Sequence, residues 1–229
     1  MLLSPAMENN QNINTESFTI IESQSSFLLS FEGIEGCGKT TQIKSFKEYL
    51  ESNGYQVIVL REPGGTEFGE NLRKSILTSQ TPLAPIAEAY LFASSRAQLL
   101  TEKILPFLKS PKHVIILDRY IDSSIAYQGY ARGLGMEQIL KIHTPTPLNI
   151  LPNLTFYLSI SVEVSMQRQE IRNNKKDYFE QENIDFYQKL INGYEACAQV
   201  FPNRIKRIDA TKDIENVNQQ IKKAFIEHV

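Results

Sequence analysis

Phe31-Glu32-Gly33-Ile34-Glu35-Gly36-Cys37-Gly38-Lys39-Thr40-Thr41-Gln42 decides how the rest of this chain is read. Gly33 to Thr40 fit G-x-x-x-x-G-K-[ST], the phosphate-binding loop. Glycines let the backbone curl until successive N–H groups point inward at phosphate oxygens. Lys39 can then reach the β- and γ-phosphates, and the Thr40 hydroxyl can sit on Mg²⁺. The following helix adds the positive end of its dipole. A chain of this length meets the pattern by chance roughly once in a hundred, and the flanks lower that further. Phe27-Leu28-Leu29-Ser30-Phe31 is an apolar run suited to a buried strand, and Ile43, Phe46 and Leu50 give Thr41 to Leu50 a helical face. Strand, glycine-rich turn and helix is the order the loop requires.

The whole chain sets bounds. Its 229 residues, 41% hydrophobic and 22% charged, suit one globular domain with a buried core. A formal charge of −2 supplies no basic field for nucleic acid or an anionic membrane. The two cysteines, Cys37 and Cys197, suit a reducing compartment, because Cys37 lies inside the phosphate loop. His113, His143 and His228 show no metal-ligand spacing. No apolar run approaches the ~18 residues of a membrane span. Residues 1–26 are polar, rich in Asn, Gln and Ser, and precede the first basic residue, Lys39. They carry no secretory or transit signal, so a flexible tail is expected there, with Met7 an alternative start and the cytoplasm the expected location.

Downstream, Asn53-Gly54 reads as a helix stop and Tyr55 to Leu60 as a strand. Arg61-Glu62-Pro63-Gly64-Gly65-Thr66 then turns at the strand's end, the edge where open α/β sheets bind ligands. Pro-Gly-Gly alone is only a turn; the charged pair before it points to function. Thr66 to Leu77 reads as a helix carrying Arg73, and Pro85 to Leu108 as a long helical stretch. Ile86, Ala89, Ala93, Ala97, Leu100, Ile104 and Leu108 form its core face. Phe92 and Arg96 are four apart on that stretch, by default packing and surface charge. His113 to Asp118 is an apolar strand that delivers a carboxylate to the phosphate-loop edge, the magnesium-side role, with Arg119 directly behind it.

Ser123 to Ala131 reads as helical, with Asp122, Ser123, Ser124, Tyr127 and Gln128 unusually polar for a buried helix start. A short helix ends at Ile142, Leu154 to Ile160 is a fourth strand, and Ile205 to Ile208 a fifth. An amphipathic helix (Ile214, Val217, Ile221, Phe225) closes the chain. Strands alternating with helices predict a parallel sheet with helices on both faces. Arg168, Arg172, Lys175 and Lys176 crowd the stretch before Asp185. By default that is a solvated helix and loop; its sharper reading is a basic flap that closes over phosphates. Asn174-Lys175-Lys176-Asp177 imitates a guanine-reading motif, but no apolar strand precedes it and no D-x-x-G occurs, so that reading fails.

Four blocks together resemble the thymidylate kinases: Phe31 to Gln42, Arg61-Glu-Pro-Gly-Gly-Thr66, Leu91-Phe-Ala-Ser-Ser-Arg96 and Asp118-Arg-Tyr-Ile-Asp-Ser-Ser-Ile-Ala-Tyr-Gln-Gly129. The resemblance runs from residue 27 to 209, which implies one P-loop NTPase domain over 27–229. It implies a three-layer α/β fold with a five-stranded parallel sheet and a basic lid near 168–183. It implies phosphorylation of dTMP by ATP with Mg²⁺, in a cytoplasmic homodimer. ATP would lie on Gly33, Ile34, Glu35, Gly36, Cys37, Gly38, Lys39, Thr40 and Thr41. Phe92 would stack on the base, Arg96 would bind its edge, Ser124 and Gln128 would complete its recognition, and Ser95 would belong to the substrate-binding set. Tyr127 would close the sugar side, where a 2′-hydroxyl is unwelcome.

In the same resemblance Glu35 meets the 3′-hydroxyl end of the nucleotide, Arg73 and Arg119 hold the acceptor phosphate, Glu62 helps place that phosphate and the metal, and Ser123 belongs to the substrate-binding set. Thr40, Asp118 and Glu62 would hold the metal, and Lys39, Asp118, Arg119, Arg168 and Arg172 would carry catalysis. Gly36 stands where one branch of the family has arginine, which points to the other, bacterial-type branch and to Arg168 or Arg172 as its substitute. Asn153 and Ser159 stand where the family often has Asp. A thymidine kinase is the nearer rival, though it would carry Glu-Arg-Ser at Asp118-Arg119-Tyr120; a non-catalytic nucleotide-binding module is the other.

Overall fold

The computed structural model describes residues 15–21, 23, 26–79, 81–172 and 182–228, the side chain of Arg172 excepted. Strands β1 (Thr19–Ile20) and β2 (Phe27–Glu32) precede α1 (Lys39–Ser52), β3 (Gln56–Arg61) and α2 (Glu67–Leu77). Helix α3 (Pro85–Leu99) continues through a π segment, Leu100–Ile104, into α4 (Leu105–Phe107). Strand β4 (His113–Asp118) leads to α5 (Ile121–Ser124), a second π segment (Ile125–Ala131) and α6 (Met136–Ile142). Strands β5 (Ile150–Leu151) and β6 (Leu154–Ser159), helices α7 (Val162–Arg172) and α8 (Ile184–Val200), β7 (Ile205–Asp209) and α9 (Ile214–Ile226) complete it.

Five strands form one parallel sheet in the order β3-β4-β2-β6-β7. Every residue of β2 and of β6 is buried, while β3 at the edge alternates. That is the pattern of a sheet covered on both faces. Neighbouring residues of β6 show the two covers directly. Phe156 meets Phe46 of α1 at a 5.3 Å centroid distance, and Tyr157 stacks on Tyr194 of α8 at 5.3 Å. Side chains alternate along a strand, so α1 and α8 lie on opposite faces. The expected three-layer α/β architecture is the observed one, and β2, where the phosphate loop begins, sits in the middle of the sheet.

The N-terminal stretch departs from expectation. Thr19–Ile20, read as part of a flexible tail, pairs in parallel with Ile150–Leu151. Asn153 secures it: its Oδ1 accepts from the Leu28 amide at 2.8 Å, and its Nδ2 donates to the Ile21 carbonyl at 3.0 Å. A two-residue strand has too little periodicity to be heard in a polar sequence. Residues 1–14 of the expected tail lie outside the described residues. So does 173–181, which holds Lys175, Lys176 and most of the expected lid.

Two buried pairings stiffen the frame beneath the site. Arg204 clamps Asp122 with bonds of 2.6 and 2.8 Å, linking the start of β7 to α5. Gly193 of α8 lies so near Ala126 that an added Cβ would stand 2.7 Å from the Ala126 Cα. That close approach seats α8 on the second π segment.

Candidate active site

Sheet register assembles the site. Phe31 pairs with Asp118, and Asp118 with Arg61, so β2, β4 and β3 end side by side. The next residues are stitched across: the Arg119 amide donates to the Phe31 carbonyl at 3.1 Å, and the Glu62 amide to the Asp118 carbonyl at 3.0 Å. Gly33, Arg119 and Glu62 therefore leave three strands at one edge. Above them lies a cavity of about 770 Å³, within the roughly 300–1,000 Å³ of small-molecule sites.

Its donor end is the phosphate loop, where Glu35, Gly36, Gly38, Lys39, Thr40 and Thr41 line the cavity. Gly38 precedes α1 in the left-handed region, and no side chain caps this helix. Thr66, Asn183 and Asp213 do cap α2, α8 and α9. The first amides of α1 are thus kept for an anion. Lys39 Nζ rests on the Gly33 carbonyl at 3.2 Å. Gly33 has φ +138°, and a Cβ there would stand 2.6 Å from the Leu158 carbonyl oxygen, so this position admits only glycine. Gly33, Ile34 and Cys37 do not line the cavity. The side chains of Ile34 and Cys37 are buried in the core, so their part in ATP binding is limited to backbone.

Arg119 is the hub. Its Nη1 donates to the Gly33 carbonyl at 3.0 Å, Tyr194 Oη at 3.0 Å and Ser123 Oγ at 3.3 Å, and its Nη2 faces Glu35 Oε2 at 3.5 Å. The guanidinium lies 5.2 Å over the Tyr127 ring. Burial opposes its charge, but Tyr127, Tyr194, Glu35 and Asp118 outweigh burial and raise its pKa. Arg119 also has φ +71°, uncommon for a residue with a side chain and the kind of strain that clusters at functional sites. Beneath it Glu32 accepts from the Tyr120 amide at 2.7 Å and from Ser123 Oγ at 2.6 Å. Burial, and Asp122 nearby, push that carboxyl up to about 8.

Of the two flap arginines, Arg168 reaches the phosphate loop. It donates to the Gly36 carbonyl at 3.3 Å and the Ala210 carbonyl at 2.9 Å, and it lines the cavity. Arg172 lies on α7, but its side chain is outside the described residues.

At the acceptor end Arg73, Phe92, Arg96, Ser123, Tyr127 and Gln128 line the cavity. Arg73 Nη1 donates to the Pro63 carbonyl at 3.3 Å. Arg96 is 1% exposed, where helical spacing alone would make it surface charge. Its Nε and Nη2 both donate to Glu62 Oε2, and its Nη1 meets Ser124 Oγ at 3.0 Å and His143 Nε2 at 2.6 Å. Four of the five guanidinium N–H groups are thereby engaged, which leaves one for the cavity. Burial pushes the Glu62 carboxyl up, and Arg96 pulls it back. Burial and Arg96 together push the His143 imidazole down to about 3.

Two of the expected substrate contacts lie behind the wall. Ser95 and Ser124 are absent from the cavity wall. Ser95 Oγ instead accepts from the Gly64 amide at 3.2 Å, and Ser124 Oγ from Arg96 at 3.0 Å. Ser124 thus supports a residue that lines it, and Ser95 the turn beside Pro63. Sequence reasoning missed Glu32, Glu88, His143 and Tyr194, along with Tyr187 and Leu190 of α8 in the wall. A signal for α8 existed, since Phe186, Leu190, Tyr194 and Cys197 recur at helical steps, but the charged run before it masked the pattern. Nothing in the sequence marks a buried His143.

Three acceptors at the cavity are buried and receive no hydrogen bond from any described residue: Glu62 Oε1, Asp118 Oδ1 and Gln128 Oε1. Buried polar atoms are normally satisfied, so these mark where ligand chemistry belongs.

Comparison with known proteins agrees with this geometry. A family model described as thymidylate kinase matches residues 31–221. The thymidylate kinase of Thermoanaerobacter sp. (strain X514) is 46% identical over 193 residues, 84% of this chain and 94% of that one. That of Caldanaerobacter subterraneus subsp. tengcongensis is 43% identical over 201 residues, 88% and 95% of the two. A crystal structure of thymidylate kinase from Ehrlichia chaffeensis, 30% identical, superposes with a TM-score of 0.69 over 88% of this chain and 99% of that one. A match across nearly the whole described domain, carrying the phosphate loop and the Asp118-Arg119 edge alike, shows that this chain belongs to the thymidylate kinase family.

Proposed function

We propose that the chain transfers the γ-phosphoryl group of ATP to the phosphate of dTMP, giving dTDP and ADP. One observation carries the reading. A single cavity has a phosphate loop at one end and an aromatic, an arginine and a glutamine (Phe92, Arg96, Gln128) at the other, with Arg119 between. The acceptor is already an anionic phosphate oxygen, so no strong general base is required. The difficulty is to bring two polyanions into line, and positioning with charge neutralisation meets it. Lys39 and the amides of α1 hold the donor phosphates, Arg73 holds the acceptor, and Arg119 and Arg168 offset charge where it shifts. Phe92 supplies a stacking face, and Tyr127 closes the sugar side.

The residues fit a magnesium ion, which takes oxygen ligands and keeps waters. Asp118 Oδ1 and Glu62 Oε1 are buried oxygens without partners, and Thr40 lies in the same wall. Bound with ATP, the ion would neutralise phosphate charge and orient the γ-phosphoryl group. Family membership also supports homodimeric assembly and a cytoplasmic location; sedimentation velocity tests the first.

A coupled assay of ADP release, run with dTMP and with thymidine as acceptors, tests the function. Turnover with dTMP is the expected result. Turnover with thymidine alone would refute it and make the chain a nucleoside kinase.

A further inference from the structure

Gln128 is fully buried in the cavity wall, and its two amide ends have different fates. Its Nε2 donates to Glu88 Oε1 at 2.7 Å, from the second π segment across to α3. Its Oε1 accepts from no described residue. Glu88 Oε1 is the acceptor in that bond, so Glu88 takes the donor end of the amide and leaves the carbonyl end over. Were the amide turned round, two oxygens would face each other in a buried site, each unsatisfied.

Glu88 is 0% exposed, and a guanidinium stands beside it. Arg132 Nε lies 3.5 Å from its Oε2. Arg132 is itself fixed by Glu182 Oε1 at 2.7 Å and by the Phe186 ring, 4.8 Å beneath its guanidinium. Burial pushes the Glu88 carboxyl above the usual carboxylate range, and Gln128 and Arg132 offset only part of that rise. None of Glu88, Arg132 or Glu182 lines the cavity, and Glu88 meets it through Gln128.

We propose that Glu88 is a specificity-determining positioning residue: by holding Nε2 of Gln128 it offers the cavity an acceptor, and so selects pyrimidines whose ring edge carries an N–H. This rests on the thymidylate reading of the cavity. Thymine presents N3–H between two carbonyls. Arg96, with donors only, complements a carbonyl, and the Gln128 oxygen complements the N–H. Cytosine presents a bare N3 acceptor, which would leave two acceptors buried against each other. A site built around a hydrogen bond rejects the ligand that lacks it far more strongly than an apolar pocket rejects a missing methylene.

The test is Glu88→Gln, assayed for kcat/KM with dTMP and with dCMP beside the wild type. A glutamine at 88 can donate or accept, so the Gln128 amide is free to present either end. The expected result is a fall of about tenfold or more in the dTMP to dCMP ratio. A merely structural role would depress both substrates together, and a ratio held within about twofold in a folded variant would overturn the proposal. Wild-type turnover of dTMP is read in the same assay, so failure of the functional reading shows separately, and would overturn both. Should Glu88→Gln not fold, the side-chain amide of Gln128 in ¹⁵N-labelled wild-type protein decides. Its bonded proton is expected to exchange slowly with water before dTMP is added and to stay where it is afterwards. Protection that arises only with dTMP would show the amide donating to the ligand, and would overturn the assignment.

Discussion

Replacing His143 by glutamine removes a titrating group from beneath the acceptor site while keeping an acceptor for Arg96. In the wild type His143 Nδ1 donates to the Ile139 carbonyl at 2.7 Å, so Nε2 is the lone pair that accepts from Arg96. A proton on Nε2 would set an N–H against a guanidinium inside a buried site. Burial and that guanidinium accordingly push the imidazole from 6.5 to about 3. The folded pKa lies below the unfolded one, so the unfolded chain binds the extra proton. Stability from this group is full above about pH 6.5 and is lost as pH falls, at up to ~1.4 kcal/mol per pH unit, until about pH 3.

Glu32 works in the opposite direction. Its folded pKa is raised from 4.5 to about 8, so its stability is full below about pH 4.5 and is lost as pH rises toward 8. Between pH 6.5 and 4.5 the two groups oppose each other, and the wild-type profile alone reveals neither. The variant isolates one. At pH 7.5 His143→Gln is expected to cost about 1 kcal/mol, for the lost Ile139 contact. By pH 5 the wild type will have lost about 2 kcal/mol that the variant keeps, and the order of stability reverses. Urea unfolding at half-unit steps from pH 7.5 to 5, with the slope checked for constancy, measures this. Parallel curves across that range would refute the neutral, Arg96-accepting imidazole.

Three further outcomes are expected. Asp122→Asn leaves the Arg204 guanidinium buried without its counter-charge and should cost about 3–5 kcal/mol, a fall of roughly 10 °C in Tm by calorimetry. Gly193→Val drives a side chain into Ala126, lifts α8 from the π segment and moves Tyr194 off Arg119, so melting temperature and kcat should fall together. Arg168→Ala gives up only bonds to two carbonyls, so Tm should hold within a few degrees while kcat falls by about tenfold or more, since removing one charge-stabilising donor typically costs at least that.

What could be read from the sequence follows from how far each signal reaches along the chain. The phosphate loop and the strand ending in Asp118 are local patterns, and the sheet they predict is the sheet observed. Arg96 shows where locality ends. Its spacing from Phe92 says helix surface, yet it is buried by Glu62, Ser124 and His143, which come from three other segments. The same holds for Glu88 and Glu32: a carboxylate in a sequence has no mark for burial, because its partner lies 40 or 88 residues away. The sequence could not show what the Ser95 and Ser124 hydroxyls bond, because Gly64 and Arg96 lie 31 and 28 residues away. The small sheet of β1 and β5 was silent because its pairing is set by Asn153 and not by alternation.

The loop that opens the site shows why these supports matter to chemistry. Lys39 and Arg119, from different segments, both rest on one neutral acceptor, the Gly33 carbonyl. A phosphate oxygen is charged, so a bond to it adds Coulomb attraction to the charge-assisted bond each cation already makes. Both cations can therefore exchange a carbonyl for a phosphate with a gain, and neither is drawn out of water to do so. Electrostatic stabilisation works best when its charges are already placed, because no reorganisation is then needed as the reaction proceeds. Gly33 makes that placement possible: its left-handed backbone turns the carbonyl toward the two cations, and the Leu158 carbonyl, 2.6 Å from where a Cβ would be, closes the position to any other residue. Tyr194 and Ser123 then hold Arg119 from the far side, so that its guanidinium is fixed before any ligand enters.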